Sequence, residues 1–176
     1  MTHTIGIVVT IPQPAGDHLR HKRRSYGDPE ADIVPPHITL LPPTVVPSDR
    51  YDLVLAHVRA VAAATRPFEV MLNSTGTFRP VSPVVFVQVA QGIPECERLE
   101  SALRSGPVRR DLDFPYHPHV TIAHRLDSSA LDLAFADLAE FSTRFLVRSI
   151  DVYEHCGDRW QLRAAAELAA APEVRP

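Results

Sequence analysis

The run Pro-His-apolar-Thr-apolar occurs twice, as Pro36-His37-Ile38-Thr39-Leu40 and as Pro118-His119-Val120-Thr121-Ile122. Each copy falls at the same point of a repeated order of elements, and that repetition restricts the fold more than anything else in the chain. In the first copy, strands are expected over Thr4–Ile11 and His37–Leu41. A helix follows between Pro47 and Pro67, carried by Leu53, Val54, Val58 and Val61. A third strand then runs from Phe68 to about Asn73, with Ser74, Gly76 and Arg79-Pro80 marking the loop beyond it. In the second copy, strands at Val84–Ala90 and His119–His124 alternate with helices at Pro94–Leu103 and Ser128–Leu138, and Phe145–Tyr153 closes the unit as one strand. Thirty residues separate Ile7 from His37, and 32 separate Val87 from His119. A period of about 80 residues is too long for a solenoid and predicts two pseudo-symmetric lobes sharing one cleft. The expectation is a single domain over 1–165, with halves of about 1–80 and 81–165. Trp160–Arg163 should pair with Ile150–His155 across Gly157-Asp158, with Trp160 first a core plug and second a surface on which a base stacks at the cleft mouth; the tail should fray from Ala164 and be disordered over 166–176.

Composition narrows the function classes. With 45% hydrophobic and 22% charged residues the chain reads as an ordinary globular domain. No stretch reaches the roughly 20 apolar residues that span a bilayer, and the start lacks a signal-peptide pattern, so a cytoplasmic location is the default expectation. A net charge of -3 argues against nonspecific coating of nucleic acid. The basic run His18, Arg20, His21, Lys22, Arg23, Arg24 reads first as a solvated face and second as a rim that draws an anion toward a nearby site. Cys96 and Cys156, with no Cys-x-x-Cys spacing, read as small core or surface residues.

The two motifs carry the chemistry. In a strand, residues two apart share a face, so His37 and Thr39, like His119 and Thr121, project together while Ile38, Leu40, Val120 and Ile122 enter the core. Histidine, with an unperturbed pKa of about 6.5, serves as base or as acid near neutrality. In-line displacement at phosphorus needs one of each, on opposite sides. Threonine hydroxyls donate to the non-bridging oxygens without carrying charge.

These paired motifs resemble the two-histidine (2H) phosphoesterase superfamily, which includes the 2'-5' RNA ligase-like proteins and the RNA cyclic phosphodiesterases. The resemblance runs from Thr4 to about Trp160. It implies a bilobal α+β fold, two pseudo-symmetric lobes with antiparallel sheets around a central cleft and helices outside. It also implies hydrolysis of cyclic phosphodiesters, such as the 2',3'-cyclic phosphate of RNA ends or small nucleotides, with 2'-5' ligation as a further activity. His37, Thr39, His119 and Thr121 match the family's catalytic positions, the resemblance assigning His119 as base and His37 as acid while the symmetry of the repeat leaves the reverse assignment open. Gly76 to Phe78 resembles a loop that approaches the cleft, which makes Phe78 and Arg79 candidate substrate contacts together with Tyr116 and His124. The family's RNA-acting members carry arginine five residues after the second histidine, where this chain has His124, with Arg125 one step later. The expected partner is a cyclic nucleotide or RNA terminus met by a monomer, with no cofactor and no metal.

Two other readings compete. His117, His119 and His124, with His155 elsewhere, form a histidine cluster, but strand alternation sets His124 on the face opposite His119 and no carboxylate or cysteine completes a zinc site. A non-catalytic module that binds phosphate or RNA ends would use the same cleft and hydroxyls. The retained histidine pair separates the enzyme from the binder, because binding a phosphate needs no matched proton donor and acceptor.

Overall fold

The computed structural model describes residues 1–112 and 114–169. Eight strands and four helices follow in order: β1 (Thr2–Thr10), α1 (Ala15–Ser25), β2 (His37–Pro47), α2 (Tyr51–Ala63), β3 (Phe68–Thr77), β4 (Val84–Gln91), α3 (Ile93–Arg104), β5 (His119–His124), α4 (Ser128–Asp137), β6 (Ser142–Val147), β7 (Ser149–Cys156) and β8 (Arg159–Glu167). The strands make one antiparallel sheet in the order β6-β3-β4-β5-β2-β1-β7-β8, an α+β architecture. β2 and β5 meet at the centre through one paired position, Ile38 with Val120. The sheet is therefore two four-stranded halves joined at a narrow waist.

The mirrored order around that waist matches the sequence repeat, with an exchange. β3, the last strand of the first repeat, pairs with β4 of the second, while β7 returns to pair with β1. The strand expected over Phe145–Tyr153 is two strands for this reason. Val147 and Ile150, three apart, are both buried, so alternation breaks at Arg148-Ser149 where the chain leaves one half of the sheet for the other.

Helices are amphipathic in the expected way: α2 buries Val54, Val58 and Ala62, and α3 buries Cys96, Leu99 and Leu103. Leu53, read as part of the apolar face of α2, is instead exposed. The basic run lies on α1, with Asp17 in its first turn and Lys22, Arg23 and Arg24 in its last, each complementing the helix dipole. Four of its cations are paired, Arg20 with Asp17, Lys22 with Asp137, Arg23 with Asp28 and Arg24 with Asp32, so the run is a neutralised helix face and not an open anion funnel. Burial pushes the Cys96 thiol up to about 12, as fits a core residue. Chain order extends past the expected start of fraying. β8 runs to Glu167, and the Leu168 and Ala169 amides donate to the carbonyls of Arg148 and Thr65 at 2.7 and 2.8 Å. The rest of the expected tail, 170–176, lies outside the described residues. Among the described residues no helix is long and apolar enough to cross a membrane.

Candidate active site

Pro35 and Pro36 hold an extended approach to β2, and the Pro36 carbonyl accepts from the Ile11 amide at 2.9 Å. From there alternation does the sorting: Ile38 and Leu40 are buried, while His37 and Thr39 are half-buried on the other face. β5 repeats the arrangement with Val120 and Ile122 buried and His119 and Thr121 half-buried. Extending the register from the Ile38–Val120 pair sets His37 across from Thr121 and Thr39 across from His119. The four side chains form a square with histidines on one diagonal and threonines on the other.

Each ring is locked in the same way. His37 Nδ1 donates to the Pro35 carbonyl and His119 Nδ1 donates to the His117 carbonyl, both at 2.7 Å and both two residues back. With Nδ1 carrying the proton, Nε2 is the free nitrogen of each neutral imidazole. Burial lowers the pKa of His37 to about 4, helped by the nearby cations of Arg23 and a protonated His119 and opposed by its bond to Pro35. Burial also lowers that of His119, opposed by its bond to the His117 carbonyl and aided to a smaller extent by the charge of the His117 ring. Arg23 and Asp28 are themselves buried, joined by bonds of 3.0 and 2.8 Å, and Asp28 accepts from the Glu30 amide. This pair pins the loop that delivers Pro35 to His37.

The His37 shift has a measurable consequence. The unfolded chain takes up the histidine proton near the ordinary value of 6.5, whereas the folded site resists it until about 4. The contribution to stability is therefore present above 6.5 and is lost as pH falls toward 4. The melting temperature of the parent should fall more steeply over that window than that of His37→Asn, which has no ring to protonate. Parallel curves would show that the His37 ring is not the source.

A β-bulge changes the face on which His124 stands. On β4, Val84, Phe86 and Gln88 share a face, and they pair with His124, Thr121 and His119, leaving Ile122 as the extra residue. His124 is thus on the same face as both motif residues of β5, against the expectation from strict alternation. β2 carries a matching irregularity at Leu40, where Val8 pairs with Thr39 and Ile7 with Leu41. Arg125 follows with φ of 55° and an exposed side chain.

The remaining candidates divide. Phe78 packs edge-on to His119 with centroids 5.0 Å apart. Gly76, expected in a loop, belongs to β3 and pairs with Phe86; a Cβ there would stand 2.6 Å from the Phe86 ring, so only glycine lets that ring, 5.0 Å from His119, lie flat on the strand. The Arg79 guanidinium is engaged by Asp132 at 2.7 Å and by Thr77 at 3.3 Å. The Tyr116 hydroxyl donates to the Thr39 carbonyl at 2.9 Å, bracing the first motif from the β5 side of the waist. Two cavities meet at Thr39. One, of about 370 Å³, runs from His37 to Tyr153, His155 and Trp160; the other, of about 590 Å³, runs from His119 past Phe78 to Phe114 and Tyr116. Trp160 is therefore a half-buried cleft wall and not a core plug. Only the return of β7 and β8 to β1 brings it there, and no local pattern announces that pairing.

The family model of the 2'-5' RNA ligase superfamily matches residues 11–159, a span that holds both motifs and all the strands between them. The chain belongs to this superfamily. Its paired His-x-Thr motifs make it a two-histidine phosphoesterase by family. A Bacillus cytotoxicus protein whose name marks it as a presumed phosphoesterase is 29% identical over 158 residues, covering 90% of this chain and 86% of that one. A similarly named protein of Bacillus thuringiensis is 29% identical over 125 residues, 71% of this chain and 72% of its own. Among solved structures, Escherichia coli LigT complexed with 3'-AMP overlays with a TM-score of 0.71 at 17% identity, covering 97% of this superfamily member and 100% of LigT. TT0787 of Thermus thermophilus gives 0.63 at 19% identity over 94% and 97% of the two chains, and Kluyveromyces marxianus Usb1 gives 0.53 at 14% over 95% and 98%. At these identities the likeness is one of fold.

Proposed function

We propose that the chain hydrolyses cyclic phosphodiesters without a metal, acting on the 2',3'-cyclic phosphate of a nucleotide or RNA end. The observation that carries this reading is the matched pair of Nδ1-locked histidines, which present two Nε2 atoms on one face of the sheet with a threonine across from each. His119 takes a proton from water, the water oxygen bonds to phosphorus, and the bond from phosphorus to the departing ribose oxygen breaks as His37 protonates that oxygen. Thr39 and Thr121 donate to the non-bridging oxygens. His37 is given the acid role by the family resemblance, with the cavity walled by Trp160 on its side of Thr39 taken to receive the departing nucleoside. Its lowered pKa means that the proton arrives with the anionic substrate, and an imidazolium so disfavoured is a strong acid once formed.

Among the described residues no three His, Cys, Asp or Glu side chains are grouped to hold a metal ion, and the cations of α1 are engaged within the fold. The reading therefore predicts that activity survives EDTA and that cyclic mononucleotides are turned over about as well as cyclic-phosphate RNA ends. The test is a hydrolysis screen of 2',3'-cyclic nucleotides, cyclic-phosphate oligonucleotides, 2'-5' oligoadenylates and ADP-ribose cyclic phosphate, with and without chelator. Turnover of no cyclic phosphodiester, or turnover abolished by EDTA and restored by metal, would overturn it. A strong preference for long RNA that fades with salt would reveal phosphate contacts beyond this cleft.

A further inference from the structure

Trp160 is the chain's single tryptophan, and its indole is held from several sides in the wall of the cavity beside His37. It lies over Gly6, where a Cβ would be 3.6 Å from Cζ3 and 3.9 Å from Cη2. The Trp160 amide donates to the Ile33 carbonyl at 3.1 Å, and the His155 ring packs at 5.2 Å and 57°. The cavity it walls, of about 370 Å³, falls in the roughly 300–1,000 Å³ range of small-molecule sites. Its lining carries the carboxylates of Glu30 and Asp158, the latter also 3.5 Å from the exposed Arg159 guanidinium; no Lys or Arg side chain among the described residues lines it. Such a wall repels a second phosphate and attracts N–H donors carried on a flat, stackable group.

We propose that this cavity is a nucleobase subsite that prefers guanine, with the base stacked on Trp160 and its N1–H and amino N–H accepted at Glu30 or Asp158. This rests on the reading of the cleft as a phosphodiester site. Guanine offers two neighbouring donors, which one carboxylate accepts together. Adenine and cytosine offer an amino donor beside a ring acceptor, and uracil offers a single N–H between two carbonyls that face the carboxylates unfavourably. The larger purine also covers more of the indole.

The lone tryptophan allows a test that needs no turnover. Tryptophan fluorescence is titrated with guanosine 3'-monophosphate, uridine 3'-monophosphate and inorganic phosphate. The guanosine nucleotide should quench at roughly 10-fold lower concentration than the uridine nucleotide, as expected for one bidentate base contact, and phosphate alone should not quench. The double variant Glu30→Gln, Asp158→Asn, both exposed positions that leave the fold intact, should bring the two nucleotides together. Equal quenching by both nucleotides, quenching by phosphate alone, or an unchanged ratio in the double variant would overturn the subsite. Guanosine-selective quenching without any hydrolysis would keep the subsite and sink the catalytic reading, whereas hydrolysis with no preference among the four bases would do the reverse.

Discussion

Replacing His37 or His119 by alanine is expected to lower hydrolysis of a 2',3'-cyclic nucleotide by on the order of 100- to 10,000-fold, the loss typical of one positioned acid or base. The two losses should differ in kind. When the bridging oxygen that departs is replaced by sulfur, the leaving thiolate needs no proton, so the acid becomes dispensable. His37→Ala should then recover most of its rate and His119→Ala should not. The opposite pattern would exchange the two roles, which the near-symmetry of the square permits. If both alanine variants kept parental activity on a confirmed substrate, the two-histidine mechanism would have to be abandoned. Rate against pH should be bell-shaped, since one ring must be neutral and the other charged. In kcat/KM, which reports the free enzyme, the bell should be displaced to the acid side, because burial lowers both pKa values. In kcat it should move back up, because bound phosphate favours the imidazolium.

The second large effect is expected at the threonines. Thr39→Val and Thr121→Val should each cost about 10- to 1,000-fold in turnover, the range for loss of one donor to a developing oxyanion. Both side chains are half-buried on the cleft face, and neither hydroxyl bonds to another described residue, so melting temperatures should move by only a few degrees. Thr→Ser should retain more activity than Thr→Val at each site. Turnover at the parent rate in both valine variants would assign the hydroxyls no part in the reaction.

Much of this was legible in the sequence, for identifiable reasons. The motif strands and the order of elements follow from alternation and from self-similarity, both of which are local or can be counted along the chain. The locks on the rings, two residues back in each case, are short-range but use backbone carbonyls that no residue type marks. What alternation could not supply is its own interruption. The bulge at Ile122 shifts His124 by one step of the pleat, and nothing in Val-Thr-Ile-Ala-His marks which residue is the extra one. The jump at Arg148-Ser149 and the place of Trp160 are non-local in the same sense: they depend on which strand comes to lie beside β1. The α1 run was legible as a helix face, but not the acids that neutralise it, because no periodicity ties Asp28, Asp32 and Asp137 to its cations.

The pairing of β1 with β7 also governs when the molecule can be completed. Ile5 aligns with Glu154 and Val8 with Asp151, so β1 waits for a strand synthesised much later. The half of the sheet that contains β3, β4, β5 and β6 is contiguous in sequence and can assemble while the chain is still emerging. The half that carries His37 cannot. Closing so long a loop before any contact rewards it is slow, and until then β1 exposes an unpaired apolar edge. The cavity wall at Trp160 is therefore the last part of the cleft to form, complete only after synthesis has passed residue 160.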